Sequence, residues 1–484
     1  MKKIAIFLTL IIALCACANF SGCKKESSAR TTYNLNCTLD GNTLYGTETV
    51  NFYNDTENSF TELKFNLFGN AFRKGAKYSP VAPEHTSRAY PNGISYGDMK
   101  INSVKSLNKD MEFSIGGEDE NILTVKLFEE VFPNERVSLS IDYVLNLANV
   151  IARTGVNAKT VNLANFYPIL CATDNGSFYE CVYYAIGDPF YSDCADYTVT
   201  LTANKDLVVA SSGRLCSENI STDTATRTYK INNARSFAFV LSKNFKVATD
   251  NSTGVTVNYY YYDDASPEKS IGYAVNAIKT FNELFGAYPY PTYSVVKTPF
   301  VQGGMEFPAL TMIADDLDGM PYGEVIVHET AHQWWQTTVG NNEIEYGFLD
   351  EGLAEYSVVL FYEKFPEYGY TREYLIKASE DTYKVFCSVS DKVFGNVNTV
   401  MVRSLKDFKG EYEYVNIAYV KPCIMYDTAR KTVGDARFFT ALKRYYSEYK
   451  FRNATPHDLV GAFEKTGAGT NGFFQSFFDG KVII

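Results

Sequence analysis

Histidine is scarce in this chain, with four in 484 residues, so two of them at helical spacing need an explanation. Basic residues are also short: 45 Lys and Arg face 56 Asp and Glu, for a net charge of −11. That balance excludes nucleic acid as the main partner, because phosphate binding needs a basic face. Acidity alone names no substrate. The apolar run IAIFLTLIIAL at residues 4–14 falls short of the ~20 residues that span a membrane. The seven cysteines after Cys23 contain no CxxC pair, which argues against a cysteine zinc site. Seven is odd, so at least one is free or pairs outside the chain. Disulfides within the loose group Cys171, Cys181, Cys194 and Cys216 stay open.

Apolar material is plentiful. The chain is 46% hydrophobic, with 37 Tyr and 34 Phe, enough for two or three domains. Its start reads as an export signal: MKK is the positive end and the apolar run follows. The Phe-Ser-Gly before Cys23 resembles a bacterial lipoprotein cleavage box, and KKESSARTT after it reads as a polar tether. Cys17 is the competing site, and cleavage without lipid is the plainer alternative. The expectation is a signal peptide over 1–22 and a tether over 23–32. Lipidated Cys23 then anchors an exported lipoprotein to an outward-facing bacterial cell membrane surface.

From about residue 31 to 262 the apolar period is two. RVSLSIDYV alternates Val137, Leu139 and Ile141 with polar residues, and FTELKFNLF alternates Leu63, Phe65 and Leu67. This pattern predicts an antiparallel β domain. Near residue 267 the period changes. Ile271, Ala274, Val275, Ile278, Phe281 and Phe285 share one helical face, with Pro267 at its start and Gly286 at its end. YGEVIVHETAHQWWQTTVG and FLDEGLAEYSVVLFYEKFP read as further helices, closed by Gly340 and Pro366. Helical text also fills 414–450, and Thr455-Pro456-His457-Asp458 is a capping signature. A mostly helical second domain is expected over 263–484.

His328 and His332, four apart, lie on one helical face with Glu329 beside them: the H-E-x-x-H arrangement. Catalytic zinc takes three protein ligands and leaves a position open, whereas structural zinc takes four. Glu351, nineteen positions after His332 and early in the next helix, is the best third ligand. Glu355, one turn later, either supports a ligand or is an ordinary solvated glutamate.

H-E-x-x-H, eighteen residues, then Glu resembles the gluzincin zinc aminopeptidases of the aminopeptidase N and leukotriene-hydrolase type. Thermolysin-like endopeptidases are near relatives, with a different interval. QGGMEFPAL at 302–310 is similar to the family's Gly-x-Met-Glu-Asn segment. The resemblance implies a substrate site at Gly303, Gly304, Met305 and Glu306, with Glu306 on the free α-amino group, although Phe307 replaces the usual Asn. IAYVKPCIMYD is similar to the family's Tyr-Glu-Lys-Gly segment and puts a catalytic tyrosine at Tyr419, with Tyr412, Tyr414 and Tyr426 as decoys. The N-terminal β text also looks like the family's.

The implied fold is multidomain: a β-sandwich-like antiparallel β domain over 33–262, then a thermolysin-like α+β catalytic domain over 263–484. It is a short form ending where larger members continue into a helical domain. The implied enzyme is a zinc metallopeptidase with one Zn2+ per chain, acting on peptides with a free N-terminus. Glu329 is its base and Tyr419 stabilises the oxyanion. An endopeptidase or epoxide hydrolase on the same site, a decayed lipid-anchored binding protein, and a structural zinc site remain alternatives.

Overall fold

The computed structural model describes residues 30–481. The expectations for the signal run, Cys17 and Cys23 lie outside the described residues. Among the described residues no helix is long and apolar enough to cross a membrane. Cys37, Cys171, Cys181, Cys194, Cys216, Cys387 and Cys423 are free, so the loose cysteine group forms no disulfide.

The first half is built on strands whose alternation reads directly as burial. Thr43–Tyr53 buries every second side chain, and Arg136–Asn146 does so from Leu139 onward. The two pair antiparallel along their whole lengths, with Val50 opposite Leu139. They belong to an eight-stranded sheet, to which two four-stranded sheets add their own buried faces. Leu63 and Phe65 from one of these sheets and Phe239 and Val240 from the other are fully buried in the shared core. Against the antiparallel expectation, Thr32–Asp40 runs parallel to Ala195–Asn204.

A five-stranded sheet opens the second half. Its spatial order is Lys246–Asp250, Thr256–Tyr261, Thr292–Thr298, Leu310–Ala314, Gly304–Phe307. Thr256–Tyr261 and Thr292–Thr298 are parallel, and the helix Pro267–Leu284 forms the crossover between them. The boundary expected at 262 therefore needs correcting. The strands Lys246–Asp250 and Thr256–Tyr261 belong to the sheet of the second half, so the division falls before Lys246. Period two marks a strand but not its partner, and here the partner lies some 35 residues downstream, Tyr259 facing Val295.

A second correction concerns the helix with the paired histidines. It spans Gly319–Ala331 and does not run to Gly340. The Thr337 and Thr338 hydroxyls both donate to the Gln333 carbonyl, at 2.9 and 2.7 Å, and Gln336 sits at φ 110°. These side-chain bonds take the acceptor that a continuing helix would use. The helix Phe348–Lys364 stops before Pro366 as expected. Thr455 and Asp458 form the anticipated reciprocal cap on Pro456–Glu464.

Candidate metal centre

Three segments converge on one cavity. The first is Gly304–Phe307, the edge strand of the five-stranded sheet, antiparallel to Leu310–Ala314. The second is Gly319–Ala331, which fully buries Ile326, Val327 and Ala331 and so turns the His328 and Glu329 side into the cleft. The third is Phe348–Lys364, whose first turn carries Asp350 and Glu351. Gln333 ties the first two together: its amide donates to the Phe307 carbonyl at 3.1 Å, and its oxygen accepts from the Ala309 N–H at 2.8 Å. The two indoles that follow are also satisfied, Trp334 on the Gly286 carbonyl at 2.7 Å and Trp335 on the Ser357 hydroxyl at 3.2 Å.

Each histidine is oriented through its δ nitrogen. His332 Nδ1 lies 3.0 Å from the Trp335 carbonyl, and His328 Nδ1 lies 3.2 Å from Glu355 Oε2. With those protons on Nδ1, both Nε2 lone pairs point inward. They are 3.1 Å apart, and Glu351 Oε2 lies 3.1 Å from one and 3.3 Å from the other. Without a bridging cation, whether a proton or a metal ion, two imidazole lone pairs and a carboxylate oxygen at these distances would repel one another. Nitrogen and oxygen donors of this kind suit Zn2+, so the residues fit the metal. Burial pushes the Glu351 carboxyl up, but His332 and His328 outweigh it and hold the group down at about 2.

Glu329 is 5% exposed, and its Oε2 has no hydrogen-bond partner. Burial pushes it up to about 7, against the pull of His328 and His332. Gly304 packs directly on it: a Cβ at residue 304 would lie 2.6 Å from Glu329 Cγ and nearer still to the carboxylate.

Tyr419 reaches the cluster from the C-terminal helices. It lies in a π-helical turn, Asn416–Val420, the kind of widened turn often found at functional sites. Its ring stacks on His328 at 5.7 Å, and its hydroxyl donates to Glu351 Oε1. Two neighbours hold this turn in place. Lys421 is fully buried and donates to the Thr399 and Phe477 carbonyls at 2.6 and 2.7 Å. Pro422 packs on Gly352, where a Cβ would lie 2.5 Å from the proline Cβ. Of the decoys, Tyr412 is exposed and Tyr426 is buried away from the cavity, whereas Tyr414 lines it beside Tyr419.

Glu306 is 4% exposed, with Oε1 unpartnered and 3.9 Å from His332 Nδ1. Burial pushes its carboxyl well above the usual range despite His332, and Asp188 and Glu329 add to the rise. Gly303 and Gly304 line the same cavity. Met305 does not belong to the substrate wall expected of it. Strand alternation turns it to the opposite face from Glu306, where it is 2% exposed and its sulfur lies 2.9 Å from Arg153 Nε.

Arg153 and Asp188 also line the cavity, whose volume is about 340 Å3, and no sequence pattern marks either of them as part of it. They form a buried ion pair from the N-terminal half. Oxygens of Asp188, Glu306 and Glu343 lie within 4.8 Å of one another. Gly187-Asp188-Pro189 carried a turn signal, but nothing local tied it to residue 306.

Residues 270–479 match the Peptidase family M1 domain. Over 210 residues the chain is 28% identical to aminopeptidase B of Homo sapiens, covering 41% of this chain and 31% of that protein. It is 26% identical over 192 residues to leucine aminopeptidase 2 of Aspergillus fumigatus, covering 38% of this chain and 29% of that protein. The chain thus spans about a third of the length of these curated relatives. A crystal structure of an M1 zinc metallopeptidase from Deinococcus radiodurans superposes over 94% of this chain and 95% of its own, with a TM-score of 0.67 at 17% identity. A mutant of that protein bound to a Tyr-Ser-Ala substrate gives a TM-score of 0.65, also at 17% identity. At this identity the likeness establishes a shared fold, a β-rich domain followed by a helical one. The second half of the chain, over residues 270–479, is thus similar to the Peptidase family M1 domain.

Proposed function

We propose that this chain is a zinc-dependent metallopeptidase, an aminopeptidase that releases N-terminal residues from peptides with a free amino group. The observation that carries this reading is the position of Glu306: a buried, unpartnered carboxylate oxygen 3.9 Å behind the ring of His332. His328, His332 and Glu351 would hold the zinc. When bound, it supplies Lewis acidity toward a carbonyl and toward water.

The rest of the mechanism belongs to the side chains. Glu306 pairs with the substrate's α-ammonium and sets the first peptide bond over the histidine cluster. The free oxygen of Glu329 takes a proton from the attacking water and passes it to the departing amine. Tyr419, whose hydroxyl now rests on Glu351, turns to donate to the carbonyl oxygen as it gains charge. Asp188 and Arg153 close the wall behind Glu306 and exclude water from it. The likeness to aminopeptidase B and to leucine aminopeptidase 2 supports the exopeptidase choice over an endopeptidase or epoxide hydrolase.

The test is a panel of aminoacyl fluorogenic substrates, each with and without N-acetylation. Turnover confined to the free amines is expected, with one zinc per chain by elemental analysis. Equal turnover of acetylated substrates would replace this reading with an endopeptidase.

A further inference from the structure

The cavity holds several acids, and most of them are engaged. Glu351 faces the histidines, Glu355 accepts from His328, Asp188 pairs with Arg153, and Glu411 Oε2 lies 2.8 Å from His85 Nε2. Glu324 differs. It is half-buried and lines the cavity, and among the described residues it has neither a hydrogen bond nor an ion pair. The charges that act on it are Glu355, which repels it, and His328. Pro321 and Val325 line the cavity next to it.

Its place relative to the cluster follows from the contacts. Glu306 lies behind His332, on the Nδ1 side. The two histidines meet through Nε2. Glu355 lies behind His328, on its Nδ1 side. The order across the site is therefore Glu306, His332, His328, Glu355. Glu324 stands one helical turn before His328, at the end opposite Glu306. Glu306 is nine-tenths buried and unpartnered in the same cavity, so it fixes the register of an incoming peptide. With the ammonium there and the first carbonyl at the cluster, the second residue points toward Glu324.

We infer that Glu324 selects substrates whose second residue, the one after the scissile bond, carries a cationic side chain. The inference rests on the aminopeptidase reading and names its substrate class. Pro321 and Val325 offer apolar surface to the methylene stem of Lys or Arg, and the carboxylate takes the charged head. A neutral side chain leaves Glu324 unpaired beside Glu355, and an acidic one adds a third negative charge.

The experiment measures Leu release from Leu-Arg-Gly, Leu-Met-Gly and Leu-Glu-Gly by the zinc-loaded enzyme, as kcat/KM. Wild type is expected to favour Arg over Met about tenfold, equivalent to about 1.4 kcal/mol, with Glu slowest. Glu324→Gln should bring the Arg-to-Met ratio near one, and Glu324→Lys should invert it in favour of Leu-Glu-Gly. A wild-type ratio near one, or a ratio that survives in Glu324→Gln, overturns the inference while leaving the aminopeptidase reading intact. No Leu release from any of the three overturns that reading, and this inference falls with it. If the variants do not fold, the wild-type ratio at low and high salt decides: a charge-based preference shrinks as salt rises, and one that does not shrink refutes the assignment.

Discussion

Gly304→Ala tests the geometry of the base without touching a ligand or the base itself. The new methyl would lie 2.5 Å from Glu329 Cδ and 2.6 Å from its Cγ, about an ångström inside ordinary contact between carbons, which is about 3.5–4.0 Å. Those atoms are the far end of a flexible side chain, so the carboxylate swings away and the strand stays in place. Displacing a reacting group by about 1 Å costs roughly a hundredfold in rate, which is about 2.7 kcal/mol of barrier. The ligand cluster lies on other segments, so zinc content should hold at one per chain, and the melting temperature should change little. The assay is kcat on an aminoacyl substrate, with elemental analysis and a melting curve on the same sample. Gly461→Ala is the control: the helix Pro456–Glu464 leaves open space there, and a stabilisation of about 0.5–1 kcal/mol with full activity is expected. Wild-type kcat in Gly304→Ala would show that Glu329 need not occupy the position described. A collapse in melting temperature would show that the strand gives way instead of the side chain.

His332→Ala should lose zinc and activity together, and one tightly held zinc in that variant would overturn the ligand set. Glu306→Ala should cost about 1.5–3 kcal/mol on free-amine peptides, and equal losses on N-acetylated ones would reduce Glu306 to a strand-shaping role. Tyr419→Phe keeps the ring on His328 and removes the donor. It should lower kcat and kcat/KM together by roughly a hundred- to a thousandfold, and the reading fails if Tyr414→Phe does so instead. We also expect diacylglycerol on Cys23, which intact-mass spectrometry of the membrane fraction would refute by finding an unmodified terminus elsewhere.

The parts of this site that could be read from sequence are those fixed within one or two turns of chain. His328, Glu329 and His332 need only a helix to share a face, and Glu351 needs only the next helix to return. The strands of the first half were legible for the same reason, since each carries its burial pattern in its own side chains. What failed was partner choice. Tyr259 alternates like any strand residue, yet its sheet is decided by Val295. The helix over-run past Ala331 arose because apolar spacing continues through Trp334 and Trp335, while two threonine hydroxyls claim the Gln333 carbonyl.

Asp188 and Arg153 show the limit most clearly. Neither has a local pattern that distinguishes it from a surface pair, and their separation of 35 residues matches no secondary-structure period. Their meaning comes from long-range approach: Met305, buried by strand alternation, presents its sulfur to Arg153, and the paired Asp188 then faces Glu306. The N-terminal β half thereby supplies part of the wall behind the proposed amine site. A carboxylate at 306 alone would sit in a cleft open on that side. If the two halves are read as separate domains, one structural and one catalytic, Arg153→Met should affect stability alone. If the wall matters to the site, it should also lower KM for free-amine peptides while leaving zinc content unchanged, because the substitution leaves the Asp188 carboxylate without its counter-charge, free to attract the ammonium it helps to enclose.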